Sequence, residues 1–97
     1  MAQYGLVAVY ILANRKQGTL YTGVASDLPK RMEEHQSGVG SRFAKTHGCN
    51  RLVWFEVFQH MDEAIAHEKR LKRWNRAWKI ELIEKTNPDW RDLTLDL

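Results

Sequence analysis

Two tyrosines, an arginine, a histidine and one oddly placed carboxylate are the residues of this chain whose types and spacing could do chemistry together. Tyr10 ends the stretch Ala8-Val9-Tyr10, and Tyr21 opens Tyr21-Thr22-Gly23 eleven residues later. Arg31 follows Gly23 by eight residues, and His35 comes one helical turn after it. Far downstream, Glu68 falls in the apolar stripe of a basic helix. A phenol can relay a proton from an attacking water. An imidazole titrates near neutrality, and a guanidinium neutralises charge on a phosphate. A single carboxylate can hold Mg²⁺, because that ion keeps most of its waters and takes phosphate oxygens from the substrate. Together they make a kit for metal-assisted phosphodiester cleavage.

Each residue also has a plainer reading. Glu68 can pair with a neighbouring cation or reach out to water. Arg31 can be a solvated helix arginine, and His35 can cap carbonyls at a helix C-terminus. Tyr10 and Tyr21 can be strand aromatics whose hydroxyls simply find a partner. The functional reading needs both hydroxyls in one polar pocket, with Gly23 letting substrate approach the strand.

The elements that must position them follow from the pattern. Leu6 to Ala13 is a continuous apolar run, which suits a strand buried on both faces and hence a central one. Asn14 to Gly18 is a hairpin loop and Thr19 to Ala25 the return strand. Side chains alternate across a sheet, so Tyr10 shares a face with Tyr21 only if it lies opposite Tyr21 or Gly23. Ser26, Asp27 and Pro29 open a helix from about Leu28 to Gln36. Its apolar stripe is Leu28 and Met32, and Arg31 and His35 lie on or beside it. Arg42 to Thr46 reads as a short helical turn. Leu52 to Phe58 is the third strand. A helix capped by Asp62 runs to about Trp74, with Ala64, Ile65, Leu71 and Trp74 apolar and Glu68 among them. Asn75-Arg76-Ala77-Trp78 leads into a further helix, Trp78 to Lys85, stopped by Asn87-Pro88. Trp90 anchors the tail. The order β-β-α-β-α-α predicts an α+β domain, a three-stranded antiparallel sheet flanked by helices, over residues 5–83, with a C-terminal tail over 84–97.

Composition bounds the function. The 97 residues make one domain. Hydrophobic content of 43% with 28% charged residues belongs to a folded protein rather than a disordered one. A formal charge of +3 permits a nucleic-acid partner without demanding it. The single cysteine, Cys49, excludes an intrachain disulfide and fits a reducing compartment. The first residues lack a signal peptide's charged start, and no apolar run is long enough to span a bilayer. A soluble cytoplasmic protein away from membranes is expected. Lys69 to Lys79 interleaves basic residues with Trp74 and Trp78, which suits either phosphate contact or a solvated face over a tryptophan core. His47, Cys49, His60 and His67 lack the paired spacing of a zinc site.

Taken together, Val9-Tyr10-Ile11-Leu12, Leu20-Tyr21-Thr22-Gly23-Val24, Asp27-Leu28 with Arg31 and His35, Arg51-Leu52-Val53-Trp54, and Glu68 before Lys72-Arg73-Trp74 resemble the GIY-YIG nuclease domain. The chain looks most like its small stand-alone bacterial members. The resemblance implies divalent-metal-dependent hydrolysis of DNA, in repair, recombination or turnover. By position, Tyr10 would be the general base or water-orienting group, and Tyr21 would help place the water or phosphate. Arg31 would stabilise phosphate charge, with His35 assisting. Glu68 would hold one Mg²⁺ or Mn²⁺. Gly23, Lys30, Arg42, Lys45, Lys72, Arg73, Asn75 and Arg76 are the candidates for nucleic-acid contact. Ala8-Val9 stands where the family has Gly-Ile, and Thr22 where it has Ile. The family's late asparagine has no clear match, Asn75 coming early after Glu68 and Asn87 late. With no appended DNA-binding domain, specificity is left to branched or nicked DNA or to a protein partner. The alternative function is a non-catalytic nucleic-acid-binding module of the same fold. A third, an interaction protein using the tryptophan-rich surface, ranks below both. The carboxylate separates the first two, since a pure phosphate binder has no use for one at its site.

Overall fold

The computed structural model describes residues 6–97. Two expectations that rest on Met1–Gly5, the start of the domain and the missing leader, lie outside the described residues. The element order is β1 (Ala8–Ala13), β2 (Leu20–Ala25), α1 (Leu28–Ser37), α2 (Arg42–Thr46), β3 (Arg51–Val57), α3 (Met61–Arg73) and α4 (Arg76–Thr86), closed by a 3-10 turn at Leu93–Asp96. The strands form one antiparallel sheet in the order β2-β1-β3, flanked by helices. All six residues of β1 are buried, which is why the most uniformly apolar strand takes the centre. Leu6 and Val7 precede it outside the ladder but still accept hydrogen bonds, from the backbone N–H of Leu28 and Phe58 respectively.

Register decides which side chains meet. Tyr10 pairs with Gly23, one of the two arrangements that put both tyrosines on one face. Ala8, Tyr10 and Leu12 pack on that face against Leu28 and Met32 of α1, Ala44 of α2 and Cys49. Val9, Ile11 and Ala13 pack on the other against Ala64 and Leu71 of α3, Ile83 of α4 and Trp90. Between β1 and β3 the pairing shifts after Ile11, which lies opposite Trp54 while Leu12 lies opposite Leu52. Val53 is the extra residue of that bulge.

Helix ends explain the small differences from the expected boundaries. Asp27 caps α1 by accepting from the Lys30 N–H, and Gly38 ends it at φ 87°, a left-handed angle that suits glycine. The N-cap of α3 is His60 rather than Asp62. Asp62 and Glu63 sit inside the first turn, where their charge still suits the helix dipole. Ile65 of the expected stripe is exposed. α4 starts at Arg76, two residues before Trp78, because Asn75 Oδ1 accepts from the Trp78 N–H and sets the first turn. The last stretch packs closely. Trp90 is fully buried, and its Nε1 donates to Glu84 Oε2 at 2.7 Å. Asn87 Nδ2 donates to the carbonyls of Val53 and Arg91. Asp92 Oδ1 accepts from the Leu52 N–H at the start of β3. No helix of the described residues is long and apolar enough to cross a membrane.

Candidate active site

The α1 face of the sheet holds the polar centre. Tyr10 and Tyr21 stand on β1 and β2, and α1 lays His35 across them. Tyr10 Oη lies 2.9 Å from His35 Nε2, a buried hydrogen bond. The three rings form a close group. Their centroids are 6.3 Å apart for Tyr10–Tyr21, 5.8 Å for Tyr10–His35 and 5.7 Å for Tyr21–His35. Gly23 makes the group possible. A Cβ there would fall 2.6 Å from Tyr10 Oη and 3.0 Å from Tyr21 Cε2. The glycine thus opens room for the tyrosines themselves. Gly40, beyond the end of α1, closes against the other edge of the imidazole, where a Cβ would collide with Nδ1.

Electrostatics follow from burial. The Tyr10 phenol is pushed up to about 12, first by desolvation and then by Tyr21, with Arg31 opposing. His35 is pushed below its ordinary 6.5, first by burial and then by the Arg31 charge, with Glu34 opposing. At neutral pH the pair is therefore a neutral phenol beside a neutral imidazole. Arg31 remains half exposed, its Nε 3.1 Å from Glu34 Oε1. Its charge reaches both Tyr10 and His35.

Glu68 sits on α3. With Ala64 and Leu71 it forms the buried side of α3, the side that packs on the opposite face of the sheet. Among the described residues, no hydrogen bond or ion pair joins it to the tyrosine–histidine group. Its Oε2 instead takes Lys72 Nζ at 2.7 Å, although Glu68 is only 8% exposed. Thr22 Oγ1, on that same face by strand alternation, is buried with no hydrogen-bond partner among the described residues. No group of three or more His, Cys, Asp or Glu that could hold a metal occurs among the described residues. The donor set fits a divalent ion as a single carboxylate contact, the coordination of an ion that keeps its waters and borrows phosphate oxygens. It does not fit an all-protein cage.

The candidates for nucleic-acid contact divide. Lys30, Arg42, Lys45 and Arg73 are exposed. Lys72 is exposed but paired with Glu68. Asn75 caps α4, and Arg76 donates to the carbonyls of Gln17 and Gly18, tying α4 to the hairpin loop. Asn87, the other asparagine considered, is buried and spends its amide on Val53 and Arg91. Phe43 and Gly40 did not emerge from the sequence reading. Phe43 sits between Arg42 and Lys45, a basic–aromatic alternation that was there to be read. Nothing in the sequence marks Gly40, whose role depends on where the loop returns.

A family model described as the GIY-YIG catalytic domain matches residues 7–81, which takes in every one of these candidates except Asn87. The chain belongs to the GIY-YIG family. Relatives match this chain along most of their length. A UPF0213 protein of Staphylococcus saprophyticus is 37% identical over 70 residues, 72% of this chain and 85% of the relative. Another, of Clostridium perfringens, is 39% identical over 75 residues, 77% of this chain and 80% of the relative. The solution NMR structure of the UPF0213 protein from Bacillus halodurans is 32% identical. It covers 91% of this chain and 93% of that one, with a TM-score of 0.55. At this level, the GIY-YIG assignment makes the protein a nucleic-acid-associated module.

Proposed function

We propose that this GIY-YIG domain hydrolyses phosphodiester bonds in DNA, as a divalent-metal-dependent endonuclease of DNA repair, recombination or turnover. The observation that carries the reading is the buried Tyr10–His35 hydrogen bond. A phenol titrating near 12 cannot serve as a tyrosinate base at neutral pH. It can pass a proton along. With the His35 proton on Nδ1, Nε2 accepts from Tyr10 Oη. Tyr10 is fully buried at rest, so substrate must shift its cover before a water reaches Oη; as that water attacks phosphorus, its proton moves to Tyr10 Oη while the Tyr10 proton moves to His35 Nε2. Keeping His35 neutral at rest leaves that nitrogen open to receive it. Tyr21, whose ring packs beside both Tyr10 and His35, helps place the water or phosphate. Arg31 balances the charge that builds on the phosphate oxygens, and its half-exposed position lets it exchange Glu34 for substrate. Glu68 would hold one Mg²⁺ or Mn²⁺, after giving up Lys72. When bound, the ion supplies positive charge for the leaving oxygen. Lys30, Arg42, Lys45 and Arg73 offer cations to the flanking backbone. We place the protein in the cytoplasm, with DNA as its partner and any further specificity supplied by branched or nicked substrates or by a second protein.

A specific observation favours a second reading. Glu68 is already paired with Lys72. That arrangement also suits a nucleic-acid-binding module that does not cut. Labelled nicked, flapped and four-way-branched DNA incubated with Mg²⁺ or Mn²⁺ against EDTA separates the two, with Glu68→Ala as the control. Metal-dependent cleavage lost in Glu68→Ala supports the nuclease. Salt-sensitive binding without cleavage supports the module.

A further inference from the structure

Phe43 is one of several exposed large apolar side chains, with Val39, Trp78 and Leu95 among the others, and the one that touches the tyrosine–histidine group. It lies in α2, a five-residue helix whose buried anchor is Ala44, and it is 45% exposed. Its ring stacks on Tyr21, with centroids 6.1 Å apart and planes inclined by 27°. His47, four residues on, lies 4.3 Å from it. Tyr21 in turn touches the rings of Tyr10 and His35. An unbroken aromatic series thus runs from the buried hydroxyl–imidazole pair, through Tyr21 and Phe43, to solvent at His47.

Cations border its outer end. Arg42 and Lys45 are exposed on the same short helix. The Lys45 side chain passes close to Gly38, so its charge sits by the C-terminal turn of α1 that carries His35. A flat, exposed ring beside cations, one aromatic layer from a phosphate site, matches what an unpaired base requires. Every base offers a π-face, and the cations track the backbone that bears it. Inside a duplex those faces are covered by neighbouring bases. Apart from the outer face of a terminal pair, only an unpaired base has a face free to lie on Phe43.

We infer that Phe43, backed by Tyr21 and flanked by His47, is the stacking platform for an unpaired base next to the phosphate held at Tyr10. The substrate class is therefore DNA with a single-stranded segment, such as a flap or fork. This rests on the pocket being a phosphodiester site, and the test keeps the two claims apart.

The experiment is fluorescence-anisotropy binding in EDTA, so that no cleavage intervenes. The probes are fluorescein-labelled oligothymidylate, a flapped DNA and a blunt duplex of the same charge. Wild type should prefer the first two. Phe43→Ala should lose about tenfold or more in affinity for them, the usual effect of removing one stacked base contact, with duplex binding unchanged. Phe43→Leu keeps apolar cover over Tyr21 without an aromatic face and should lose as much. Phe43→Trp should bind as wild type. Thermal melting of each variant confirms folding. If Phe43→Leu binds like wild type, or wild type shows no preference over duplex, the platform is overturned while the nucleic-acid reading stands. If wild type binds none of the three, both fall.

Discussion

Gly23→Ala tests the geometry of the site with one methyl group. The added Cβ would lie 2.6 Å from Tyr10 Oη and 2.7 Å from Cζ. Ordinary carbon contacts begin at about 3.5 Å, so the phenol must move by roughly 1 Å. Tyr10 is fully buried and has His35 Nε2 at 2.9 Å, so it has nowhere to go without breaking that bond. Forcing an extra methyl into a packed core costs about 1–3 kcal/mol. The lost hydrogen bond adds about 1 kcal/mol. Replacing glycine recovers about 0.4–1 kcal/mol by restricting the unfolded chain. The net is a destabilisation of about 1–3 kcal/mol, seen as a fall in Tm of roughly 5–20 °C for a domain of this size. Differential scanning calorimetry reads it directly. Any hydrolytic activity should fall further than stability does, since the phenol is displaced even in the molecules that stay folded. A Gly23→Ala protein that melts with wild type would show that the strand relaxes freely, and that Gly23 does not hold the pocket open.

His35 gives a pH test. Its folded-state pKa is depressed below 6.5, so its contribution to stability is complete above that value and is lost as pH falls from there through the lower folded-state pKa. The wild-type Tm should therefore drop more between neutral and mildly acid pH than that of His35→Gln, and equal slopes would refute the burial argument. Trp90→Ala should cost about 3–5 kcal/mol in urea denaturation, because the ring is fully buried against the α3–α4 side of the core. A loss under about 1 kcal/mol would mean that the last residues only rest on the domain.

Much of this arrangement was legible because it depends on local pattern. The apolar run of β1 fixed its central place, and the Asp27 cap fixed where α1 begins, which carried Arg31 and His35 to the sheet. The tyrosine register was not legible: the pattern said which pairings would put both tyrosines on one face, and only the structure shows Tyr10 opposite Gly23. What the sequence hid depends on contacts between distant segments. That Gly23 serves the tyrosines, that Gly40 closes on His35, and that Phe43 covers Tyr21 all require the loop after α1 to return over the sheet. Glu68 was legible as a buried carboxylate on α3. Its face of the sheet was not, because helix periodicity says which residues share a side and not which layer that side meets. Asn75, a candidate for nucleic-acid contact, caps α4, a role its place before Arg76-Ala77-Trp78 allowed.

The central claim is that the Tyr10 hydroxyl carries the proton in phosphodiester hydrolysis. Single-turnover cleavage of flapped DNA by wild type and Tyr10→Phe, with binding measured in the same samples, tests it most directly. The account predicts that Tyr10→Phe binds DNA as wild type does and cleaves at least about a hundredfold more slowly, the scale of a lost proton-transfer group. Cleavage by Tyr10→Phe at the wild-type rate, or a wild-type protein that binds and never cuts, would contradict it.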